Sequence, residues 1–206
     1  KSASVANRFI EMSAAVLKGR TRANWVLLRG LSLPPKLPSF PERYNLRAAA
    51  VASYPMYKGL ARLLGMKVLN CGDTWDDEVA TVAAHRDEFD FFYLHFKEFD
   101  QAGEDGDFEN KVELLESFDE QIVPRIVELN FDVLCITGDH STPAVLGSHS
   151  WHAVPIMLYS RYCRIHSWVE EFGERACMRG SLGVVYGLEL MPIVLAHALR
   201  YGKFGA

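Results

Sequence analysis

At 206 residues, 49% of them hydrophobic, the chain can build one substantial core, or one core with a small appendage. A formal charge of −4, with Lys and Arg scattered rather than clustered, excludes a polyanion-binding face, so no nucleic-acid partner is expected. Four cysteines without a C-x-x-C pair, no apolar stretch long enough to cross a bilayer and no signal sequence point to a reducing, cytoplasmic setting without a membrane partner.

Val5, Phe9, Met12 and Val16 recur at helical spacing and predict an amphipathic helix over residues 3–18. Lys18, Arg20 and Arg22 read as its solvated end. Residues 24–29, Asn-Trp-Val-Leu-Leu-Arg, read as a strand. The following stretch, residues 33–41, carries four prolines and is expected to be an irregular connector, with a domain boundary near residue 45. The division predicted is therefore residues 1–44 and residues 45–206.

Beyond the connector the periods alternate. Residues 48–53 read as a buried strand, and Met56 to Leu64 as a helix ended by Gly65. A strand from Met66 to Asn70 follows, then a helix capped by Thr74 and running to about residue 88, with Asp76 and Asp77 in its first turn. Residues 91–96 form the next strand. Asp107 can cap a long helix carrying Val112, Leu115, Ile122, Ile126 and Leu129, kinked at Pro124, before a strand ending at Thr137.

This alternation predicts an α/β fold with a mostly parallel sheet and helices on both faces. The helical crossover from Phe96 to Val133 should leave those two strands parallel, with their C-terminal ends on one edge, where ligands of open α/β sheets bind. Two clusters emerge at that edge. Gly138-Asp139-His140 follows one strand, with His149 nine residues beyond His140. The acidic run from Asp100 to Asp107 follows the other.

Alone, the acidic run reads as an exposed loop, and it lacks the closing Glu of a calcium-binding EF-hand loop. Beside Asp139 and His140 it reads differently, because carboxylates crowded on one rim repel unless a divalent cation neutralises them. His149 adds a nitrogen donor suited to a transition-metal site. His152 is a substitute ligand or a surface group; His85, His166 and His197 sit on helical patterns and read as structural or exposed. Arg29 ends a strand and Lys58 opens a helix, positions from which either can hold a phosphate or carboxylate, or simply face solvent.

Several stretches together resemble the C-terminal half of the archaeal-type, 2,3-bisphosphoglycerate-independent phosphoglycerate mutases of the alkaline phosphatase superfamily. They are residues 23–30, 58–62 with Gly65-Met66, His95-Phe96-Lys97 with Asp100, Lys111, 137–143, His149-Ser150 with Val154-Pro155, Leu190-Met191-Pro192 and the ending 203–206. The resemblance implies an alkaline-phosphatase-like fold, present here incompletely, with residues 1–44 closing an inserted substrate-binding domain. It implies two divalent ions (Mn, Zn or Mg) and no 2,3-bisphosphoglycerate. Asp139 and His140 would hold one ion, and Asp100, Glu104 and His149 the other, while Arg29 and Lys58 would hold substrate.

The implied chemistry is transfer of a phosphoryl group from 3-phosphoglycerate to a Ser nucleophile and back to the 2-hydroxyl. No candidate for that Ser occurs in the chain, so it is expected upstream of Lys1, in an N-terminal half that the start without Met also suggests is missing. Glu104 departs from the family pattern, which places His there, and the added charge should favour Mn or Mg. Alternatives are a phosphatase or phosphonate hydrolase of the same superfamily, or a non-catalytic metal-binding paralogue. An incomplete domain exposes apolar surface, so the chain should bind its own N-terminal half or self-associate.

Overall fold

The computed structural model describes residues 1–33, 35–163 and 168–202, and divides after Pro38 into two units. Pro34, His166 and the closing residues 203–206 lie outside the described residues.

The first unit contains α1 (Ser2–Leu17), in agreement with its 3.6-residue pattern. The strand expected at residues 24–29 does not form; that stretch has no regular structure, and Trp25 and Leu27 are exposed. A strand needs a neighbour to complete its hydrogen bonds, and no second extended segment is paired with it among the described residues of this unit.

The second unit begins with a helix in the region expected to be irregular. In α2 (Phe40–Tyr44), Pro41 lies in the first turn, where its missing N–H costs nothing. Ser39 closes a capping box: its backbone N–H donates to Glu42 Oε2 at 2.8 Å, and Glu42 N–H donates to Ser39 Oγ at 3.3 Å.

The centre of this unit is β1 (Ala48–Ala52), every residue of which is buried. It pairs in parallel with β2 (Lys67–Val68) on one side and with β3 (Phe91–His95) on the other, in the order β2-β1-β3. The register runs from Ala48 opposite Phe91 to Ala52 opposite His95. Alternate residues serve opposite faces. Ala48 and Ala50 pack with Ala61 of α3 (Pro55–Leu63) and with Phe40. Ala49 and Val51 pack with Val82 of α4 (Trp75–Ala84). Val51 and Val82 are fully buried, each contributing about 2 kcal/mol by the usual area relation.

Local signals set the helix ends. Gly65, at φ +71°, takes the left-handed position after α3. Thr74 caps α4 by accepting from Asp77 N–H at 3.1 Å, and the helix stops at Ala84, four residues short of the expected end. Asp107 caps α6 (Phe108–Gln121) by accepting from Asn110 N–H. Pro124 does not kink that helix; it sits in the first turn of a separate one, α7 (Val123–Glu128).

The parallel sheet flanked by helices is as expected, but β4 (Val133–Thr137) does not join it through a ladder. It pairs antiparallel with β5 (Ile156–Ser160), from Val133 opposite Ser160 to Thr137 opposite Ile156. Side-chain packing holds it beside β3 instead: Leu94 of β3 and Leu134 of β4 share a cluster with Val79, Ile122 and Ile126. The carboxyl ends of β3 and β4 therefore still approach one another. Short α8 (Glu174–Cys177) and α9 (Gly187–His197) complete the unit, the latter burying Leu195. Among the described residues no helix is long and apolar enough to cross a membrane.

Candidate metal centre

The acidic run after β3 is helical up to Glu104 and a turn from there to Asp107. Residues Glu98–Glu104 form α5, which places Asp100 and Glu104 one turn apart on the same face. A composition containing Gly103 and three acids would hold such a short helix poorly, and aromatic packing fixes it. Trp75 stacks on Phe99 at 5.6 Å and meets Phe118 edge-on at 5.4 Å, while Phe96 meets Phe118 at 4.7 Å. The site helix is thereby anchored to α4 and α6.

Asp139, His140 and His149 belong to the excursion between β4 and β5. Its base is the Thr137–Ile156 pair, and a bridge between Ser141 and Ser150 ties its two arms, with Ser150 N–H donating to Ser141 carbonyl at 2.8 Å. The His140 and His149 rings stack at 3.9 Å.

These elements converge on Asp100. Its Oδ1 lies 3.7 Å from His140 Nδ1 and 3.6 Å from His149 Nε2. His149 Nε2 is also 3.3 Å from Glu104 Oε1, and His140 Nε2 is 3.5 Å from Asp139 Oδ2. Ligand atoms from Asp100, His140 and His149 all lie within 4.8 Å of one another. Donors bound at about 2.1 Å to a divalent ion sit roughly 3–4 Å apart, so the 3.3–3.7 Å pairs of oxygens and imidazole nitrogens here suit divalent-ion binding.

The charges around Asp100 are balanced by Lys97, whose ammonium pairs directly with it and lies 3.9 Å from Glu104 Oε2. Burial opposes the Asp100 charge, but hydrogen bonds from Lys97 and Thr142 outweigh it and hold the carboxyl below its ordinary value. Burial likewise opposes the Lys97 charge, and its pairing with Asp100 raises it nonetheless. Tyr57 donates to Asp139 Oδ2 and stacks on His95 at 3.6 Å. Burial, then the Asp139 contact, pushes the Tyr57 phenol well above its usual range, so it remains a donor. Burial pulls His95 down, towards the neutral imidazole.

Asp100, Glu104, His140 and His149 line a cleft of about 630 Å³ with Tyr57 and Lys97. Of the residues expected at substrate, Lys58 is half-buried on α3 and acts on the Cys71 thiol and the Glu78 carboxyl. Arg29 is exposed in the first unit. His152 bonds to Ser150 at 2.8 Å and stacks on Trp151; His85 pairs with Glu88. The sequence alone assigns no role to Tyr57 or Thr142. Tyr57 lies 82 positions from Asp139, and no local pattern signals so distant a contact.

The profile of the metalloenzyme superfamily matches residues 27–197. A Thermotoga neapolitana protein named probable 2,3-bisphosphoglycerate-independent phosphoglycerate mutase is 48% identical over 100% of this chain and 51% of its own length. An Aquifex aeolicus protein of the same name is 44% identical over 100% of this chain and 50% of its own. A solved structure of a Pyrococcus horikoshii protein superposes with a TM-score of 0.89 at 30% identity, covering 100% of this chain and 59% of that one. The cofactor-independent phosphoglycerate mutase of Thermoplasma acidophilum gives 0.64 at 24% identity over 96% and 52% of the two chains, a likeness of fold alone. The chain spans about half the length of the curated relatives it matches.

Proposed function

The chain belongs to the metalloenzyme superfamily, and on that premise we propose that it carries the metal-binding portion of a cofactor-independent phosphoglycerate mutase. The reading rests on one observation above all. Ligand atoms from Asp100, His140 and His149, brought together from α5 and both arms of the β4–β5 excursion, lie within 4.8 Å of one another.

Two divalent ions are proposed, Mn, Zn or Mg, with no need for 2,3-bisphosphoglycerate. Asp139 and His140 hold one, together with groups from a segment preceding Lys1. Asp100, Glu104 and His149 hold the other. When bound, the ions supply positive charge to the phosphoryl oxygens and make a Ser hydroxyl more acidic. That Ser, also placed in the preceding segment, attacks phosphorus as the bond to the 3-oxygen of phosphoglycerate breaks. The glycerate 2-hydroxyl then takes the phosphoryl group back.

Arg29 and Lys58 are proposed to bind the substrate's phosphate and carboxylate, Arg through its planar fork and Lys as a point charge. Lys97 keeps Asp100 ionised, and Tyr57 orients Asp139. A cytoplasmic location and association with the preceding half complete the proposal.

The test joins this chain to the remaining half of the full-length protein, proposed to precede it, and supplies 3-phosphoglycerate with Mn²⁺. Formation of 2-phosphoglycerate is expected. Release of inorganic phosphate without 2-phosphoglycerate would instead make the protein a phosphatase, and no turnover with normal metal uptake would make it a binding paralogue.

A further inference from the structure

Thr142 is 5% exposed and its hydroxyl touches a residue of each proposed ligand set. Thr142 Oγ1 lies 2.6 Å from Asp100 Oδ1 and 3.0 Å from His140 Nδ1. A hydroxyl carries one proton and can also accept. An ionised carboxylate has no proton to give, so the contact with Asp100 must use the Thr142 proton. The contact with His140 must then use an Nδ1–H donating to Thr142 Oγ1. In the neutral ring this leaves the lone pair on Nε2, the atom that faces Asp139 Oδ2 at 3.5 Å. The opposite tautomer would need the same Thr142 proton twice.

The backbone of Thr142 is held as firmly as its side chain. Lys111 Nζ on α6 donates to its carbonyl oxygen at 2.6 Å. Gly103 on α5 permits the approach: a Cβ there would stand 2.3 Å from that oxygen and 2.9 Å from Lys111 Nζ. A threonine so buried and clamped, with its one hydroxyl proton and an acceptor lone pair both committed, has little freedom to rearrange.

We propose that Thr142 is a positioning residue that joins the two halves of the metal centre. By donating to Asp100 and accepting from His140, it couples the orientation of one ligand set to the tautomer of the other. The inference rests on the metal-centre reading above. It explains why Asp100 and His140, assigned to different ions, sit only 3.7 Å apart without a direct hydrogen bond between them. It also predicts that damage at this one hydroxyl reaches both ions, whereas loss of His140 itself removes a ligand from one.

The experiment compares the chain, joined to the preceding half proposed for it, with its Thr142→Val, Thr142→Ser and His140→Ala variants. Zn²⁺ affinity is read by calorimetry, and the His140 tautomer by two-bond ¹H–¹⁵N correlation in ¹⁵N-histidine-labelled protein at pH 8 without metal. The wild-type ring should be protonated at Nδ1 and bare at Nε2. Thr142→Val should mix the tautomers and weaken both Zn²⁺ sites about 10- to 100-fold, the usual range for such supporting partners. Thr142→Ser should restore both readouts, and His140→Ala should spare the Asp100 and His149 site.

A His140 ring protonated at Nε2 in the wild type overturns the proposal, even if Thr142→Val does not fold. So does a folded Thr142→Val chain with unchanged affinity and tautomer. A wild-type chain that takes up no Zn²⁺ while His140 shows the expected tautomer would instead sink the metal reading and leave the hydrogen-bond chain standing.

Discussion

Glu104 Oε1 lies 3.3 Å from His149 Nε2, one helical turn along α5 from Asp100. The i,i+4 spacing places both carboxylates on the face met by the histidine, so Glu104 is positioned to complete that ligand set. Glu104→Gln keeps the size but removes the charge, and should weaken Mn²⁺ binding by about tenfold or more. Glu104→His should move the preference towards Zn²⁺, because imidazole is the softer donor. Competition titrations with the two ions check both, and identical profiles for all three proteins would show that Glu104 only faces solvent.

His149→Ala removes the shared partner of Asp100 and Glu104 while leaving Asp139 and His140 intact. One of the two proposed ions should be lost. Elemental analysis of the chain joined to the preceding half proposed for it measures the stoichiometry, and an unchanged ratio would contradict the ligand assignment.

Gly103→Ala tests the close approach of α5 to the β4–β5 excursion. Alanine improves helix propensity by about 1 kcal/mol. Its methyl, however, would stand 2.3 Å from Thr142 carbonyl oxygen and 3.0 Å from Thr142 Cγ2, neither of which is the end of a long flexible side chain. Overpacking of this kind costs roughly 1–3 kcal/mol and should win. A lowered urea midpoint is expected, and a midpoint equal to or above wild type would show that the two segments separate easily.

Glu78 gives a pH dependence with a definite sign. It is 2% exposed; burial, then repulsion from Glu98, pushes its carboxyl up to about 7, while hydrogen bonds from Ser53 and the Lys58 charge oppose the shift. The folded chain therefore holds this proton more tightly than the unfolded chain. Its contribution to stability is fully present below about 4.5 and is lost as pH rises through about 7. The difference amounts to roughly 3 kcal/mol. Asp90 works in the other direction, held down to about 2 by hydrogen bonds from Arg47 against the cost of burial, and its support is lost only when pH falls below 3.8. Between pH 5 and 8 the Glu78 effect should stand alone of the two, and Glu78→Gln should flatten it. Denaturation curves across that interval measure the slope; an equal slope in both proteins would mean that Glu78 is ionised throughout.

The elements read correctly from the sequence are those whose signals are local. Thr74 and Asp107 announce their helices through side chains that cap within three residues, and the unbroken apolar run Ala48–Ala52 marks a strand buried on both faces. The errors arise where a distant partner decides. Residues 24–29 have the composition of a strand but no ladder among the described residues, whereas Glu98–Glu104 is a weak helix made firm by Trp75 and Phe118. The same division runs through the site. Asp139, His140 and His149 stand close together in sequence; Asp100 approaches them as expected, but through side-chain packing of β4 beside β3 rather than through a shared parallel ladder. Tyr57 and Thr142 reach their partners from 82 and 42 positions away through single hydrogen bonds, which leave no periodic trace.

The cross-tie between Ser141 and Ser150 bears on how quickly an ion could leave. Asp139 and His140 ride on one arm of the excursion and His149 on the other, and both arms close at the Thr137–Ile156 pair. Fraying at that base would draw all three side chains away from Asp100 in one cooperative event, rather than releasing ligands singly. The Ser150 amide, donating to Ser141 carbonyl at 2.8 Å, would exchange with solvent through the same opening. Deuterium uptake there and metal dissociation should then share one rate-limiting motion, which would tie the lifetime of a bound ion to a backbone hinge rather than to any single coordinate bond.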